Sequence, residues 1–296
     1  MPFYCRLCPR SCGSLRTPET GGGVCGQGLT ARVAGAAPHM WEEPPISGER
    51  GSGAVFFTGC ALKCVYCQNY ALSRGKMGVP VSPEKLREIY LRLVGRGVHN
   101  INLVTAGHFL PAVLESLREP LPVPVVWNSS GYETVEQVRS LKGKVQVYLP
   151  DMKYMDAALA RRYSAAPDYP ETAKRAVLEM FRQTGPYVMG EDGLLRSGVM
   201  IRHLVLPGAL ENTRRVIDWV AGTFDAGDVL FSLMSQYTPM GRACDYPELD
   251  RRLTEDEYRQ ALGYMEERGI VDGFYQELDS AGEEYTPAFD LTGVEG

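Results

Sequence analysis

Three cysteines stand close together in the chain, at residues 60, 64 and 67, in the spacing C-x3-C-x2-C. Three thiolates can each bind one iron of a [4Fe–4S] cube, which leaves the fourth iron open to an outside ligand. A structural zinc ion needs a fourth ligand nearby, and this loop supplies none. We therefore predict a cluster with one open iron on Cys60, Cys64 and Cys67. The alternatives are three buried thiols, or a zinc site that takes a fourth thiol from the N-terminal residues.

A second group of four cysteines lies near the start of the chain. Cys5, Cys8, Cys12 and Cys25 follow the spacing C-x2-C-x3-C-x12-C. Four thiolates satisfy a tetrahedral zinc ion or a rubredoxin-like iron, and equally a closed auxiliary iron–sulfur cluster, so the spacing does not choose between them. We predict a second metal site here, structural or electron-relaying, with free buried thiols as the alternative. Cys244 has no thiol neighbours in the sequence, and we expect no role for it.

Composition excludes several other classes of protein. The 296 residues carry 31 Lys and Arg against 36 Asp and Glu, a net charge of −5, which argues against a dedicated nucleic-acid binder. No stretch approaches the roughly 18 apolar residues of a membrane span, and the first residues lack the pattern of a secretory signal. Tightly grouped cysteines in such a chain favour metal ligation over disulfides. We therefore expect a cytoplasmic protein.

Short apolar runs alternate with helical periods along most of the chain. The runs are rich in β-branched and aromatic residues, which is typical of parallel strands buried on both faces; they cover 54–58, 101–105, 123–127, 145–149, 200–206 and 229–233. Helices are predicted after Ser82-Pro83, over 173–181, over 211–220, and from Thr254 to Gly269. Six strand–helix units indicate an α/β fold, either barrel-like or an open doubly wound sheet. We divide the chain into an N-terminal lobe over 1–50, a main domain over 51–250 and a C-terminal helix and tail over 251–296.

The cysteine loop resembles the signature of the radical S-adenosylmethionine (SAM) superfamily, C-x3-C-x-aromatic-C, with Tyr66 at the aromatic position. This resemblance implies a partial (β/α)6 barrel similar to a TIM barrel, here with the cysteine-rich lobe added. It implies that SAM chelates the open iron through its methionine amine and carboxylate, and that Tyr66 lies against the adenine. One electron, from a donor such as flavodoxin or ferredoxin, then releases methionine and a 5′-deoxyadenosyl radical that abstracts hydrogen. Such an enzyme is oxygen-sensitive and works anaerobically.

The ends of the predicted strands supply further candidate residues, since the active site of such a barrel lies there. Thr105 and Gly107 stand where the superfamily has a Gly-Gly-Glu-Pro-like segment for the methionine amine, with an ordinary turn as the alternative. Asn128 and Ser130 belong to a segment that resembles Asn/Thr-Asn-Gly of glycyl-radical-activating enzymes. Those enzymes often begin this segment with Asp, and a plain polar turn remains open here.

Charged residues follow the later strands. Asp151 and Lys153 are two residues apart, so an extended backbone points both to one side, where they could meet a zwitterionic amino acid. The resemblance implies that Lys153 pairs with the SAM carboxylate; a surface ion pair is the alternative. Arg202 inside an apolar strand is costly unless paired, which makes it a candidate for a cofactor or substrate carboxylate. His203 alternates to the other face and is expected in the core, and Tyr237 could reach ribose or substrate.

Three segments make the resemblance more specific: the cysteine lobe, the run Trp41-Glu42-Glu43-Pro44-Pro45-Ile46-Ser47-Gly48, and residues 202–207. Together they resemble a branch close to the pyruvate formate-lyase-activating enzymes, over roughly residues 5–252. This implies hydrogen abstraction from a glycine of a partner glycyl radical enzyme. Radical modification of a small molecule or peptide is the alternative, and a zinc-binding interaction protein is a further one. Glu42 and Glu43 could line the mouth or form an exposed turn.

Overall fold

The structure is a computed structural model that describes residues 3–75, 77–275 and 289–294. Residues 276–288, 295 and 296 of the C-terminal helix and tail predicted over 251–296 therefore lie outside the described residues. Within the described part, no helix is both long enough and apolar enough to span a membrane.

The strands of the described residues form a large sheet and a small N-terminal hairpin. Their bounds are β1 Phe3–Tyr4, β2 Leu15–Arg16, β3 Ala31–His39, β4 Ser52–Phe57, β5 Val79–Val81, β6 Ile101–Val104, β7 Val125–Ser129, β8 Val147–Pro150, β9 Val188–Met189, β10 Leu195–Leu204, β11 Leu230–Met234 and β12 Gly273–Tyr275. The large sheet has the order β5-β3-β4-β6-β7-β8-β10-β11-β12, with β9 on the edge of β10. The hairpin joins β1 to β2.

Six strands of this sheet are parallel and form a partial barrel. Strands β4, β6, β7, β8, β10 and β11 pair in parallel with their neighbours, and each coincides with a predicted apolar run to within a few residues. Every residue of β4, β6, β7, β8 and β11 is buried, as expected for strands covered on both faces. The chain thus has a mixed α/β fold with a mostly parallel sheet, the predicted partial (β/α)6 barrel.

Helices connect the strands. Their bounds are α1 Pro44–Ser47, α2 Tyr70–Arg74, α3 Pro83–Gly95, α4 Leu110–Ser116, α5 Val135–Ser140, α6 Ala157–Ser164, α7 Tyr169–Thr184, α8 Leu210–Thr223 and α9 Glu255–Glu267. The predicted start signals hold: the Ser82 side chain accepts from the Lys85 N–H at the start of α3, and Thr254 forms a complete capping box with Glu257 on α9. The α7 and α8 helices contain the predicted apolar stripes.

Strand β3 is an element that periodicity did not predict. Its sequence is rich in alanine and contains Gly35 and Pro38, which are poor strand formers. It is a strand because residues 33–39 pair antiparallel with β4, and residues 31–33 pair antiparallel with the short strand β5. Tertiary pairing here outweighs local preference. Residues 291 and 292 also bond to β3, through Leu291 N–H to Ala34 O at 3.0 Å and Ala36 N–H to Thr292 O at 2.8 Å. The division of the chain into three domains stays a prediction.

Candidate active site

The three-cysteine loop begins where β4 ends and lies beside a cavity of about 240 Å³ at the carboxyl ends of the barrel strands. This cavity brings together all but one of the residues predicted around SAM. Those that line it are Cys60, Cys64, Cys67, Tyr66, Thr105, Asn128, Ser130, Asp151, Lys153, Arg202 and Tyr237. Gly107 is not among them: a side chain at this position would instead face Gln137 and Glu133. The residues predicted at the ends of six strands thus lie around one cavity, with the exception of Gly107, which follows further along its turn.

Of the three thiols of the loop, Cys64 is buried and Cys60 and Cys67 are half-buried. Burial raises the pKa of Cys60, and burial with the neighbouring thiols raises the pKa of Cys67 to about 12. The Leu62 N–H donates to Cys60 Sγ at 3.4 Å, and Ser164 Oγ donates to Cys64 Sγ at 3.1 Å. Thiols whose pKa is raised, as at Cys60 and Cys67, ionise more readily when they bind a metal cation, which suits iron. Among the described residues, no group of three or more His, Cys, Asp or Glu side chains is arranged as the ligands of one ion. The fit to a cluster therefore rests on the donor set and on a cavity far larger than one ion.

A chain of buried ion pairs crosses the cavity wall. Lys153 Nζ donates to Asp151 Oδ2 at 2.7 Å, and Arg202 Nε donates to the other oxygen of Asp151 at 3.1 Å. Burial opposes the ionisation of Asp151, but Lys153 and Arg202 hold its pKa below the usual value. Burial likewise opposes the charge of Lys153, but Asp151 raises its pKa. All three groups stay charged inside the barrel.

Arg202 has protein partners for all three of its nitrogens. Besides Asp151, Nη1 donates to Glu42 Oε2 at 3.0 Å and Nη2 donates to Asn128 Oδ1 at 2.7 Å. Its guanidinium is therefore already held by two of the chain's own carboxylates, and its predicted role toward a cofactor or substrate carboxylate stays a prediction. A buried charge needs such partners. His203, as expected, lies in the core, where Met152 O and Thr213 Oγ1 contact its two ring nitrogens at 2.6 and 2.9 Å.

Glu43 is buried inside the barrel and the Glu42 side chain beside it is only 10% exposed, a position that the sequence left undecided. Glu42 Oε1 accepts from Asn128 Nδ2 at 2.9 Å and from Asn102 Nδ2 at 3.1 Å. Glu43 Oε1 accepts from Ser232 Oγ at 2.9 Å, and burial raises its pKa against the opposing effect of Arg202. The signal that could have found them is strand β3, which brings the chain back beneath the barrel just before these residues.

Aromatic rings form another part of the wall. The Tyr66 hydroxyl accepts from Tyr154 at 2.8 Å, and its ring stands edge-on to Tyr237 with centroids 6.0 Å apart. Tyr237 donates its hydroxyl to Leu249 O at 2.7 Å, so only its ring is offered to the cavity. Thr105 has a left-handed backbone, with φ of 60°, a strained conformation that recurs at functional sites.

The four N-terminal cysteines line a separate, much smaller cavity of about 10 Å³, together with Arg16 and His108. Burial raises the pKa of Cys8 to about 11. Cys5 is buried, Cys8 and Cys25 are half-buried, and Cys12 is exposed. The structure thus brings the four predicted thiols to one place.

Comparisons with known proteins agree with this geometry. Residues 46–166 match the family model described as a 4Fe-4S single cluster domain, which contains the three-cysteine loop. An uncharacterized protein of Methanocaldococcus jannaschii is 32% identical over 230 residues, covering 74% of this chain and 63% of that protein. Streptococcus suis SuiB bound to S-adenosylmethionine superposes with a TM-score of 0.50 at 14% identity, covering 77% of this chain and 51% of SuiB.

A domain of a pyruvate-formate lyase-activating enzyme from Bacteroides vulgatus also aligns, at 16% identity and a TM-score of 0.35, over 66% of this chain and 91% of that domain. That likeness is too slight to carry an argument about activity. The chain spans only about half of SuiB and under two thirds of the archaeal protein. The cysteine signature, the matching 4Fe-4S cluster domain and the partial-barrel fold agree with one another and with the resemblance to the radical SAM superfamily.

Proposed function

We propose that the chain is a radical SAM enzyme that binds a [4Fe–4S] cluster on Cys60, Cys64 and Cys67 and uses it to cleave SAM reductively. The observation that carries the proposal is the convergence of these three thiols with the buried Asp151–Lys153 pair on one cavity. When bound, the cluster and SAM supply a one-electron cleavage that yields the 5′-deoxyadenosyl radical for hydrogen abstraction. The electron would come from a donor such as flavodoxin or ferredoxin.

The chain's own residues would hold and orient SAM. The ammonium of Lys153, fixed by Asp151, is suited to the SAM carboxylate, because a charge-assisted hydrogen bond in a buried site is strong and directional. The rings of Tyr66 and Tyr237 offer an apolar edge for the adenine, and Thr105, Asn128 and Ser130 offer polar atoms at the strand ends. Tyr66, Asn128 and Tyr237 are buried in this wall, which limits the access of water to the site.

For the substrate, we favour a glycine residue of a partner glycyl radical enzyme. The support is that residues 128–130 and residues 151–153 resemble segments of activating enzymes. The second candidate is a small molecule or peptide that is modified directly. One observation favours it: Glu42 and Glu43 place two carboxylates inside the barrel, where a bound amine could meet them. The N-terminal cysteines would hold a second metal, as zinc, iron or an auxiliary cluster. The predicted cytoplasmic and anaerobic setting belongs to the same proposal.

The test is anaerobic reconstitution followed by incubation with SAM and dithionite. The wild-type chain should release 5′-deoxyadenosine and methionine, detected by chromatography. Cys67→Ala should lose this activity, whereas Cys244→Ala, an exposed thiol away from the cavity, should keep it. Zinc in place of iron, with no deoxyadenosine from the wild type, would overturn the proposal in favour of a zinc-binding interaction protein.

The two substrate classes are separated by adding a candidate partner enzyme. A glycyl radical signal in electron paramagnetic resonance, present only with SAM and the partner, supports the activating role. A new small product without that signal supports the second candidate.

A further inference from the structure

The cavity shared by the N-terminal cysteines is the size of a single atom or water. Cys5, Cys8, Cys12 and Cys25 all line its volume of about 10 Å³, and a space of that order holds about one water molecule. A cube of four irons and four sulfides is far larger. Gly23 lies close to one of these thiols, since a side chain there would approach Cys12 Sγ to 2.7 Å, although Cys12 itself is exposed. The space therefore suits one ion and not a cluster.

A buried arginine with no acidic partner among the described residues points into the same cavity. Arg16 is only 2% exposed. Within the described part of the chain its hydrogen bonds go to His108 O at 2.9 Å, to Gly28 O and to Cys5 Sγ at 3.6 Å, and its Nε has no partner. A buried guanidinium is costly unless a negative charge compensates it. Four thiolates around one divalent ion carry a net charge of −2, which would supply that compensation.

A second arginine connects this lobe to the three-cysteine loop. Arg10 lies between Cys8 and Cys12, beside a turn in which the Ser11 N–H donates to Cys8 O at 2.9 Å. Its guanidinium donates to Ala61 O at 2.9 Å and to Leu62 O at 3.1 Å, both inside the three-cysteine loop. The same group donates to Ser164 O at 2.7 Å and to Ala165 O, at the end of α6.

These contacts place Arg10 at a junction. Ala61 and Leu62 separate Cys60 from Cys64, and Ser164 touches the Cys64 sulfur through its hydroxyl. A cation at the carboxyl end of α6 is also favoured by the helix dipole. The backbone of the three-cysteine loop is thus hydrogen-bonded to Arg10, which lies between Cys8 and Cys12 in the chain.

We propose that Cys5, Cys8, Cys12 and Cys25 close around a single divalent ion, zinc or iron without sulfide, and that this ion fixes Arg10 as a positioning residue for the three-cysteine loop. In the described residues these four thiols share a cavity but do not stand at ligand positions around one point, so binding would pull them inward onto that cavity. The part that concerns the cluster rests on the proposed function; the part that concerns the ion does not.

Metal and sulfide counts on the anaerobically purified chain test the first half. We expect about one divalent ion beyond the about four irons and about four sulfides of one cluster. Cys12→Ser should lose the extra ion, and Cys244→Ser, also an exposed thiol, should keep it. A wild-type chain with about eight irons and about eight sulfides would overturn the single-ion assignment, because the lobe would then hold a second cluster.

Hydrogen–deuterium exchange tests the second half without SAM or activity. Arg10→Gln should retain the extra ion but exchange the amides of residues 61–65 about tenfold faster, since charged hydrogen bonds to two loop carbonyls are lost. Cys12→Ser should give the same acceleration. Arg6→Gln is the matched control, an exposed arginine between Cys5 and Cys8. Exchange that is unchanged in both Arg10→Gln and Cys12→Ser would overturn the positioning role.

The two kinds of failure are distinguishable. If the three-cysteine loop holds no cluster, the extra ion and the exchange of residues 61–65 in metal-loaded protein can still be measured. If the ion is absent while deoxyadenosine is formed, the proposed function stands and this inference falls.

Discussion

The two cysteine groups of this chain differ in the space and the charge around them. The three-cysteine loop borders a cavity of about 240 Å³ whose wall contains both carboxylates and cations. The four-cysteine lobe encloses about 10 Å³, and the described residues that line it include a buried arginine but no acid. A site that uses a substrate needs room and groups of both signs, whereas a closed metal site needs only ligands and compensation for their charge. Spacing along the chain shows the number of ligands; the surroundings show what each site is for.

The largest expected effect tests whether the two sites are separate. Cys64→Ala should abolish SAM cleavage and remove the cluster iron, because a three-thiolate site cannot spare a ligand. The N-terminal metal should remain at the wild-type amount. Elemental analysis with a deoxyadenosine assay measures both, and Cys244→Ala is the control. Loss of both metals together would contradict the division into two sites.

The next effect concerns Arg202, which forms ion pairs in the cavity wall. Arg202→Gln should lower the free energy of unfolding by about 3–5 kcal/mol, because Glu42 and Asp151 would be left buried without their shared cation. Urea unfolding of the metal-free protein measures it. Arg196→Gln breaks an exposed pair with Asp192 and should cost less than about 1 kcal/mol. Equal losses in the two variants would show that the wall's ion pairs do not stabilise the fold.

A carboxyl group behind the same wall should make stability depend on pH. Glu133 accepts from Trp127 and Ser129, and burial raises its pKa to about 7. Since the folded state keeps this proton more tightly than the unfolded state does, stability should fall as the pH rises from about 4.5 past about 7, by about 3 kcal/mol in all. Glu133→Gln should remove that part of the decline. A variant with the wild-type pH profile would contradict the assignment.

The smallest effect concerns the arginine of the four-cysteine lobe. Arg16→Gln should destabilise the metal-loaded chain by about 2 kcal/mol more than the chelated chain, since only the loaded thiolates offer a negative charge to Arg16. Thermal unfolding of both forms measures the difference. Arg6→Gln, which is exposed, should show none. An equal loss of stability with and without metal would show that Arg16 stabilises the fold only through its hydrogen bonds to carbonyl groups.

Much of the fold was predicted from local sequence patterns, and the elements that were missed have physical reasons. The six barrel strands and the capped starts of α3 and α9 were predicted because burial on both faces and helix capping leave marks in short stretches of sequence. Strand β3 was not, because its alanines gain a strand conformation only through pairing with β4. The burial of Glu42 and Glu43 was undecided for the same reason, since they follow that strand into the barrel.

The sequence by itself determined the number and order of the thiols and the approximate positions of the six barrel strands, because ligand spacing and strand periodicity are local properties of a chain. Only the tertiary structure decided which charges meet. Arg202 pairs with Glu42, 160 positions earlier in the chain, and Arg10 contacts the three-cysteine loop, 51 positions further on. Such pairings depend on how the sheet curls and on where the chain returns to it, and no short stretch of residues contains that information.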